Sequence, residues 1–236
     1  MEHIDFGGKK LTHNKLRIEC FVDGYNLYHA ICRFGVSQKR QMNYLKWVDL
    51  WKLMECFVNP KIHSLNNVFY FSSYASFYPK SFKRHKCYVK ALEVVGVTFI
   101  EGKFQGSNRS CKTCGSWYQT HEEKQTDINL ALHLFYRGIS DLYDIAYIVS
   151  SDSDFVAAIK MLKQIRPDIQ TKMIAPIGMQ NRPELREVSG RKPKNTVIRE
   201  EHLQRSLFPE RLTTTDGEIL RPKAYYIPPI YKGLEA

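Results

Sequence analysis

The stretch from Asp144 to Phe155 constrains the fold of this chain more than any other. Its sequence, DIAYIVSSDSDF, starts as an apolar and β-branched run and then breaks into a short polar turn. Such a run predicts a strand buried on both faces, as in a parallel sheet. Beyond the turn, from Phe155 to Leu162, apolar residues recur at helical spacing. The stretch therefore predicts a strand and a helix joined by a turn that carries Asp152 and Asp154.

The same alternation of buried strands and amphipathic helices runs through most of the chain. Strand-like runs begin at Leu16, Val68 and Val97 before the Asp144 stretch, and helical patterns separate them. This order predicts an α/β fold of three layers, with a central, mostly parallel sheet of about five strands. In a doubly wound sheet the first and fourth strands would be neighbours, with the ligand crevice between them.

Composition divides the chain into a main domain and three less regular segments. Residues 1–15 are polar and basic and predict a flexible arm, and residues 16–208 hold the strand and helix patterns. Within them, residues 102–120 have little hydrophobic pattern and predict a small insertion that carries two cysteines. Residues 209–236 are rich in proline, tyrosine and charge and predict an extended C-terminal tail.

The charge balance favours a polyanionic partner. The formal net charge is +11, and nucleic acid is the usual partner of so basic a chain, although a solvated basic surface is the plainer alternative. A hydrophobic fraction of 43% excludes wholesale disorder. No apolar run is long enough to span a membrane, and the N-terminus lacks the apolar centre of a signal peptide. We therefore expect a soluble, cytoplasmic protein with no membrane partner.

Four carboxylates are predicted to meet at one edge of the sheet. Asp23 ends the first strand, Asp127 lies in the first turn of a helix, and Asp152 and Asp154 follow the Asp144 strand. Each alone has an ordinary explanation as a helix cap, a first-turn charge or a turn residue. Together they would repel one another unless a cation such as Mg²⁺ or Mn²⁺ were bound. Such a metal suits hydrolysis of a phosphodiester.

Three motifs in this order resemble the NYN domain family, most closely its LabA-like branch, which is related to PIN-type nucleases. They are Phe21–Asn26 (FVDGYN), Glu122–Asn129 (EEKQTDIN) and Val149–Phe155 (VSSDSDF). The resemblance covers roughly residues 16 to 208. It implies a PIN-like fold and a metal-dependent nuclease that acts on RNA rather than DNA.

The resemblance also implies roles for individual residues. Asp23, Asp127, Asp152 and Asp154 would be the acidic metal-site residues. Asn26 would position water or phosphate at the metal, and Ser150 would support the site. Ser151 stands where the family more often has glycine, and a serine there is small enough to leave the turn intact.

Basic residues near the second strand predict a nucleic-acid surface. Lys80, Lys83 and Arg84 are interleaved with aromatic residues, so that cations could hold phosphates while rings stack on unpaired bases. Lys103 and Lys124 would extend this surface. The alternative is an ordinary amphipathic helix, with the rings inside and the charges in solvent.

The spacing of Cys111 and Cys114 is that of one zinc knuckle. A closed structural site needs four ligands, so His121, His85 or Cys87 would have to complete it, or a second chain would do so in a homodimer. A reduced pair without metal is the main alternative, and a disulfide is a further one.

Other functions fit the sequence less well. A catalytically weak nucleic-acid-binding module of the same fold would gain nothing from a negative groove. A phosphatase of the HAD type needs a second aspartate two residues after the first, where this chain has Tyr25. A DxD glycosyltransferase would explain only the pair at Asp152 and Asp154.

Overall fold

The structure is a computed structural model that describes residues 15–189, 196–215 and 217–229. Its strands are β1 (Leu16–Asp23), β2 (His63–Ser72), β3 (Thr98–Glu101), β4 (Lys103–Ser110), β5 (Trp117–Lys124), β6 (Ile145–Val149), β7 (Gln170–Ala175), β8 (Thr196–Val197), β9 (Arg211–Thr214) and β10 (Gly217–Leu220). Its α-helices are α1 (Gly24–Ser37), α2 (Leu50–Glu55), α3 (Pro79–Val94), α4 (Thr126–Ile139), α5 (Phe155–Ile165), α6 (Pro183–Val188) and α7 (Glu200–Arg205).

A six-stranded parallel sheet forms the centre of the fold. Its strand order is β3-β2-β1-β6-β7-β8, and each neighbouring pair is parallel. The order reverses between β1 and β6, which places the switch point between them. This confirms the predicted α/β class and parallel sheet, with β8 as a short sixth strand.

Helices cover both faces of the sheet and complete three layers. Alternate residues of β1 point to opposite faces, so Cys20 and Val22 pack in one apolar core and Phe21 in the other. Helices α1, α2, α3 and α7 contribute to the first core, and α4, α5 and α6 to the second. Every residue of β6 is buried, as its continuous apolar run predicts.

A buried ion pair joins α4 to β1. Glu19 is fully buried, and its carboxylate accepts hydrogen bonds from Arg137 Nε and Nη2, both at 2.5 Å. Asn67 Nδ2 donates to the same carboxylate at 2.7 Å. The guanidinium of Arg137 also lies 4.7 Å from the centre of the Phe69 ring. Burial of the charge of Glu19 is thus balanced by a cation and by three hydrogen bonds.

The predicted insertion is an antiparallel hairpin that extends beyond residue 120. Strands β4 and β5 pair from Lys103 opposite Lys124 to Ser110 opposite Trp117. Most of their side chains are exposed or half-buried, so neither strand shows the alternating hydrophobic pattern that signals a strand. The motif that contains Glu123 therefore starts on β5 and continues into α4.

The C-terminal segment differs from the predicted extended tail. Strands β9 and β10 form a second hairpin, and Tyr225 and Ile227 are buried in the first core. Arg221 is buried as well, and its Nη2 donates to the carbonyl of Phe208 at 2.7 Å. The apolar residues of this segment are too widely spaced to give a periodic signal, yet they pack against the domain.

Two expectations concern features at the ends or surface of the chain. The predicted basic arm falls almost wholly on residues 1–14, which lie outside the described residues. Among the residues that the structure describes, no helix is both long and apolar enough to cross a membrane.

Candidate active site at the carboxyl edge of the sheet

The site is built where β1 and β6 end side by side. Val22 pairs with Val149 in the parallel register, so the next residues, Asp23 and Ser150, are neighbours. Both are buried, and Ser150 Oγ donates a hydrogen bond of 2.9 Å to Asp23 Oδ2. The structure thus brings together an aspartate and a serine that are 127 residues apart in the sequence.

Gly24 allows α1 to begin directly after Asp23. A Cβ atom at this position would lie 2.3 Å from a ring carbon of Tyr70 and 2.9 Å from the carbonyl oxygen of Phe71. Only glycine fits there without displacement of β2. With α1 so close, Asp23 Oδ1 accepts the backbone N–H of Asn26 at 2.9 Å and caps the helix.

Ser151 holds the side chain of Asn26. Its hydroxyl donates to Asn26 Oδ1 at 3.0 Å, and its backbone N–H approaches the same oxygen at 3.3 Å. The hydroxyl also lies 3.3 Å from Met179 Sδ. Ser151 therefore orients the side chain of Asn26.

The turn after β6 presents Asp152 and Asp154. Ser150 Oγ accepts the backbone N–H of Asp152 at 3.0 Å, and Asp152 Oδ1 accepts that of Asp154 at 3.0 Å. Asp154 is the N-cap residue of α5, but its side chain makes no capping hydrogen bond. Helix capping could therefore explain one carboxylate oxygen of Asp152, but it does not explain the presence of the Asp154 carboxylate.

The pKa shifts of these carboxylates are coupled to one another. The pKa of Asp127 is raised by burial and then by repulsion from Asp152 and Asp154. Burial raises the pKa of Asp23 to about 7, although the hydrogen bonds from Asn26 and Ser150 oppose this shift. Repulsion from Asp127 adds to the rise. The four predicted aspartates therefore share one electrostatic environment.

Glu123 is a fifth carboxylate of this environment, and the sequence did not assign it to the site. Burial raises its pKa, as does repulsion from Asp127, and Glu123 in turn raises the pKa of Asp23. Ser73 Oγ donates to Glu123 Oε1 at 2.9 Å. The motif that carries Glu123 was recognised, but only the hairpin geometry shows that this residue lies near Asp23.

The turn between β5 and α4 is strained. Gln125 has a φ of 72°, in the left-handed region that residues other than glycine seldom adopt. It stands between Glu123 and Asp127, so the unusual turn separates two carboxylates of the site. Thr126 anchors it through a contact of 3.1 Å between its Oγ1 and Ser73 Oγ.

The oxygen donors at this site are of the type that a hard divalent cation binds. Carboxylate oxygens are the ligands that Mg²⁺ and Mn²⁺ prefer. Among the described residues, no three His, Cys, Asp or Glu side chains are grouped closely enough to hold a metal ion. Mg²⁺ is commonly held by one or two carboxylates together with water and substrate phosphate, so a complete protein cage is not required.

Comparison with known proteins identifies the family. The model of the NYN domain matches residues 17–183, which is most of the chain. The chain belongs to the NYN domain family. This confirms the family resemblance and supports a PIN-like, nuclease-type domain, whereas the LabA-like branch stays a prediction.

Two individual proteins are similar to this NYN domain protein. One is 6-hydroxy-3-succinoylpyridine 3-monooxygenase HspA of Pseudomonas putida (strain DSM 28022 / S16), 26% identical over 74% of this chain and 64% of that protein. The chain thus spans less than two thirds of that relative. The other is the crystal structure of a protein of unknown function from Vibrio parahaemolyticus RIMD 2210633. Its TM-score is 0.51 at 16% identity over 81% of this chain and 96% of that one, which shows the fold alone.

The predicted basic residues of the NYN domain lie on two elements. Lys80, Lys83 and Arg84 are in the first turns of α3, and Lys103 and Lys124 pair across the base of the β4–β5 hairpin. The four lysines are exposed and Arg84 is half-buried. Lys124 is not a free cation, since its Nζ lies 3.1 Å from Glu122 Oε2.

The cysteine pair lies at the turn of the hairpin. Both thiols are free, and hydrogen bonds from the backbone of Cys114 and Thr113 lower the pKa of Cys111 to about 7. The suggested further ligands have other partners: His121 stacks on Phe77, His85 meets the Tyr70 hydroxyl and Cys87 donates to the Leu220 carbonyl. Within the described residues no group of three ligands forms, so the zinc prediction now needs ligands from a second chain.

A cavity of about 470 Å³ opens beside the acidic site. Gly24 and Ser73 lie on its wall, and these residues adjoin Asp23 and contact Glu123, respectively. The sequence pointed to rings near α3, but it did not single out those that α1 contributes to this cavity. The aromatic residues of its lining are Tyr25, Tyr28, Tyr70, Phe77, Tyr78, Tyr88, Phe104 and Tyr225.

Proposed function

We propose that this protein is a metal-dependent nuclease that hydrolyses phosphodiester bonds, with RNA as its substrate and Mg²⁺ or Mn²⁺ as its cofactor. The observation that carries the proposal is the environment of Asp23. This carboxyl group is buried at the switch point of the sheet, where burial and then repulsion from Asp127 and Glu123 raise its pKa to about 7. Packing alone gives no reason to concentrate negative charge at this point of a basic protein.

A divalent cation would remove the conflict. When bound, it would neutralise the carboxylates, polarise a phosphoryl oxygen and lower the pKa of a water molecule. In this proposal one or two of Asp23, Asp127, Asp152 and Asp154 bind the cation directly, and the others act on it through its bound water. Glu123 adds negative charge on the side of the hairpin.

The neighbouring residues would keep the site in position. Ser150 fixes the orientation of Asp23 through its hydrogen bond to Oδ2, and Ser151 fixes Asn26. Asn26 would then orient water or a phosphate oxygen. Lys80 and Lys83, exposed at the start of α3, would attract the phosphate backbone.

A second candidate is an enzyme that acts on a small heteroaromatic compound. Two observations favour it: the similarity to the Pseudomonas putida monooxygenase and the aromatic cavity beside the carboxylates. The nuclease remains the better proposal because the family match covers residues 17–183, whereas the relative is only 26% identical. A binding module without catalysis would not need the acidic site.

The proposal is tested by incubating the wild-type protein with end-labelled single-stranded RNA or DNA in Mn²⁺, Mg²⁺ or EDTA. We expect cleavage of RNA in at least one metal, slower cleavage of DNA and none in EDTA. An Asp154→Asn variant purified in the same way controls for contaminating nucleases and should be inactive. Binding without cleavage in either metal would contradict the nuclease and favour the binding module.

A further inference from the structure

The aromatic cavity beside the acidic site has features that core packing does not explain. Tyr25 and Tyr28 lie on its wall one helical turn apart on α1, yet 44% and 39% of their surfaces are exposed. Tyr78, from the loop before α3, is also on the wall and is 63% exposed. Rings that pack a core are buried, so three exposed rings around one cavity indicate a surface for contact with a ligand.

Two polar groups on the inner wall of the cavity are uncharged. The ring of His85 lies there, with its Nε2 3.2 Å from the hydroxyl of Tyr70. Burial lowers the pKa of His85 to about 4, so the imidazole is neutral near pH 7. A neutral imidazole and a phenol offer hydrogen bonds to a planar heterocycle without requiring a charge on it.

Two cations lie at the cavity. The Nε of Arg84 is buried, and no described residue accepts its hydrogen bond, although Nη2 donates to Ser81 Oγ at 2.9 Å. A buried N–H without an acceptor is costly, and a ligand oxygen would satisfy it. Lys46, from the turn before α2, places its Nζ 4.4 Å from the centre of the Tyr28 ring. Both cations suit an anionic group attached to the heterocycle.

The cavity is continuous with the acidic site. Gly24, on its wall, directly follows Asp23, and Ser73, also on its wall, donates a hydrogen bond to Glu123. A planar ring in the cavity would therefore lie next to any phosphodiester held at the carboxylates.

We propose that the cavity is a base-binding subsite, which holds the base of one unpaired nucleotide next to the scissile phosphodiester, with a phosphate of the same strand at Arg84 and Lys46. This inference rests on the proposed nuclease function and adds the requirement for a single strand. A base in a duplex is stacked and paired and cannot enter the cavity. Stacking on tyrosine is tolerant of sequence, because every base has an aromatic face.

The test measures binding separately from cleavage. The protein carries Asp152→Asn, EDTA is present, and the probe is a labelled single-stranded RNA of about eight nucleotides, within the usual length of such sites. A series of the same RNA with one abasic position moved along the strand locates the base contact. We expect one position, or two adjacent ones, to weaken binding by about tenfold, and the others to have little effect.

Substitutions connect this position to the cavity. Tyr28→Ala and, separately, Tyr25→Ala should weaken binding of the intact RNA by about tenfold and cancel the penalty of the sensitive abasic position. Tyr136→Ala is the matched control, since this tyrosine is exposed on α4 outside the cavity and should change neither. Thermal unfolding of each variant verifies that it is folded.

The proposal is overturned if abasic positions weaken binding equally, or if Tyr25 and Tyr28 behave like Tyr136. If nicotinate binds in the cavity and RNA does not displace it, the proposal is also overturned, and the cavity is assigned to a small heterocyclic molecule. If the wild-type protein does not cleave RNA but binding still depends on one abasic position, the nuclease proposal is refuted and the base-binding subsite is not. If the wild-type protein cleaves RNA but all abasic positions have the same effect on binding, the subsite is refuted and the nuclease proposal is not.

Discussion

At the scale of single residues, the site depends on carboxylates kept close together by small neutral groups. Ser150 bridges Asp23 and the backbone of Asp152, so it connects the ends of β1 and β6 through one hydroxyl. Gly24 leaves room for α1 to start at Asp23. The repulsion between carboxylates is therefore a property of the folded state, and a bound cation would relieve it.

The lowered pKa of His85 predicts how the free energy of unfolding changes with pH. Its pKa is about 4 in the folded protein and near 6.5 when unfolded, so the unfolded chain binds more protons between these values. The stability that the neutral residue provides is present above pH 6.5 and is lost as the pH falls towards 4. We expect His85→Gln to reduce this pH dependence by up to about 1.4 kcal/mol per pH unit in denaturant unfolding. Equal slopes in the two proteins would contradict the assignment.

At the scale of secondary-structure elements, the position of α4 is important because it carries Asp127. The helix is attached to the sheet at its other end, where Arg137 pairs with the buried Glu19 of β1. The two ends of α4 thus have different tasks, anchorage at Arg137 and chemistry at Asp127.

Arg137→Ala should lower the free energy of unfolding by about 3–5 kcal/mol, since it leaves a buried carboxylate without its cation. The loss would be measured by denaturant unfolding. A double variant, Glu19→Leu with Arg137→Leu, should recover much of it because no unpaired charge remains. Arg186→Ala, at an exposed position of α6, is the control and should have little effect. A loss below about 1 kcal/mol in Arg137→Ala would contradict the anchoring role.

The hydrophobic pattern of each element determines whether it could be predicted from the sequence. The strand β6 and the start of α5 follow from local apolar patterns, and the parallel sheet follows from their alternation. The β4–β5 hairpin has mostly exposed side chains and leaves no such pattern, so the place of Glu123 was missed. The C-terminal hairpin was missed because Leu212 and Ile219 reach the core only through tertiary contacts.

At the scale of the whole molecule, a positive protein surrounds a negative site. The net charge of +11 attracts a polyanion over a long range, whereas the carboxylates act only at the crevice. The sequence predicted this contrast and the neighbouring positions of β1 and β6. It could not predict the aromatic cavity, since Tyr25, Lys46 and Tyr225 come from distant segments that only the fold brings together.

The exposed lysines at the start of α3 predict how RNA binding depends on salt concentration. If Lys80 and Lys83 each contact a phosphate, replacing both with alanine should reduce the slope of log K against log salt by about 1.4 for a single strand. Binding would be measured in EDTA on the Asp152→Asn background. Lys61 is exposed just before β2, at the opposite edge of the sheet, and Lys52 is exposed on α2, so their double alanine variant is the control. An unchanged slope in the Lys80 and Lys83 variant would remove these residues from the surface.

The central claim is that the clustered carboxylates catalyse metal-dependent hydrolysis, and the rate of RNA cleavage by Asp152→Asn tests it most directly. The rate in Mn²⁺ is compared with that of wild type and of Asp168→Asn, which alters an exposed aspartate before β7, at the far edge of the sheet. We predict that Asp152→Asn lowers the rate by about 100-fold or more, while Asp168→Asn cleaves like wild type and both variants remain folded. Equal rates in all three proteins would contradict the account.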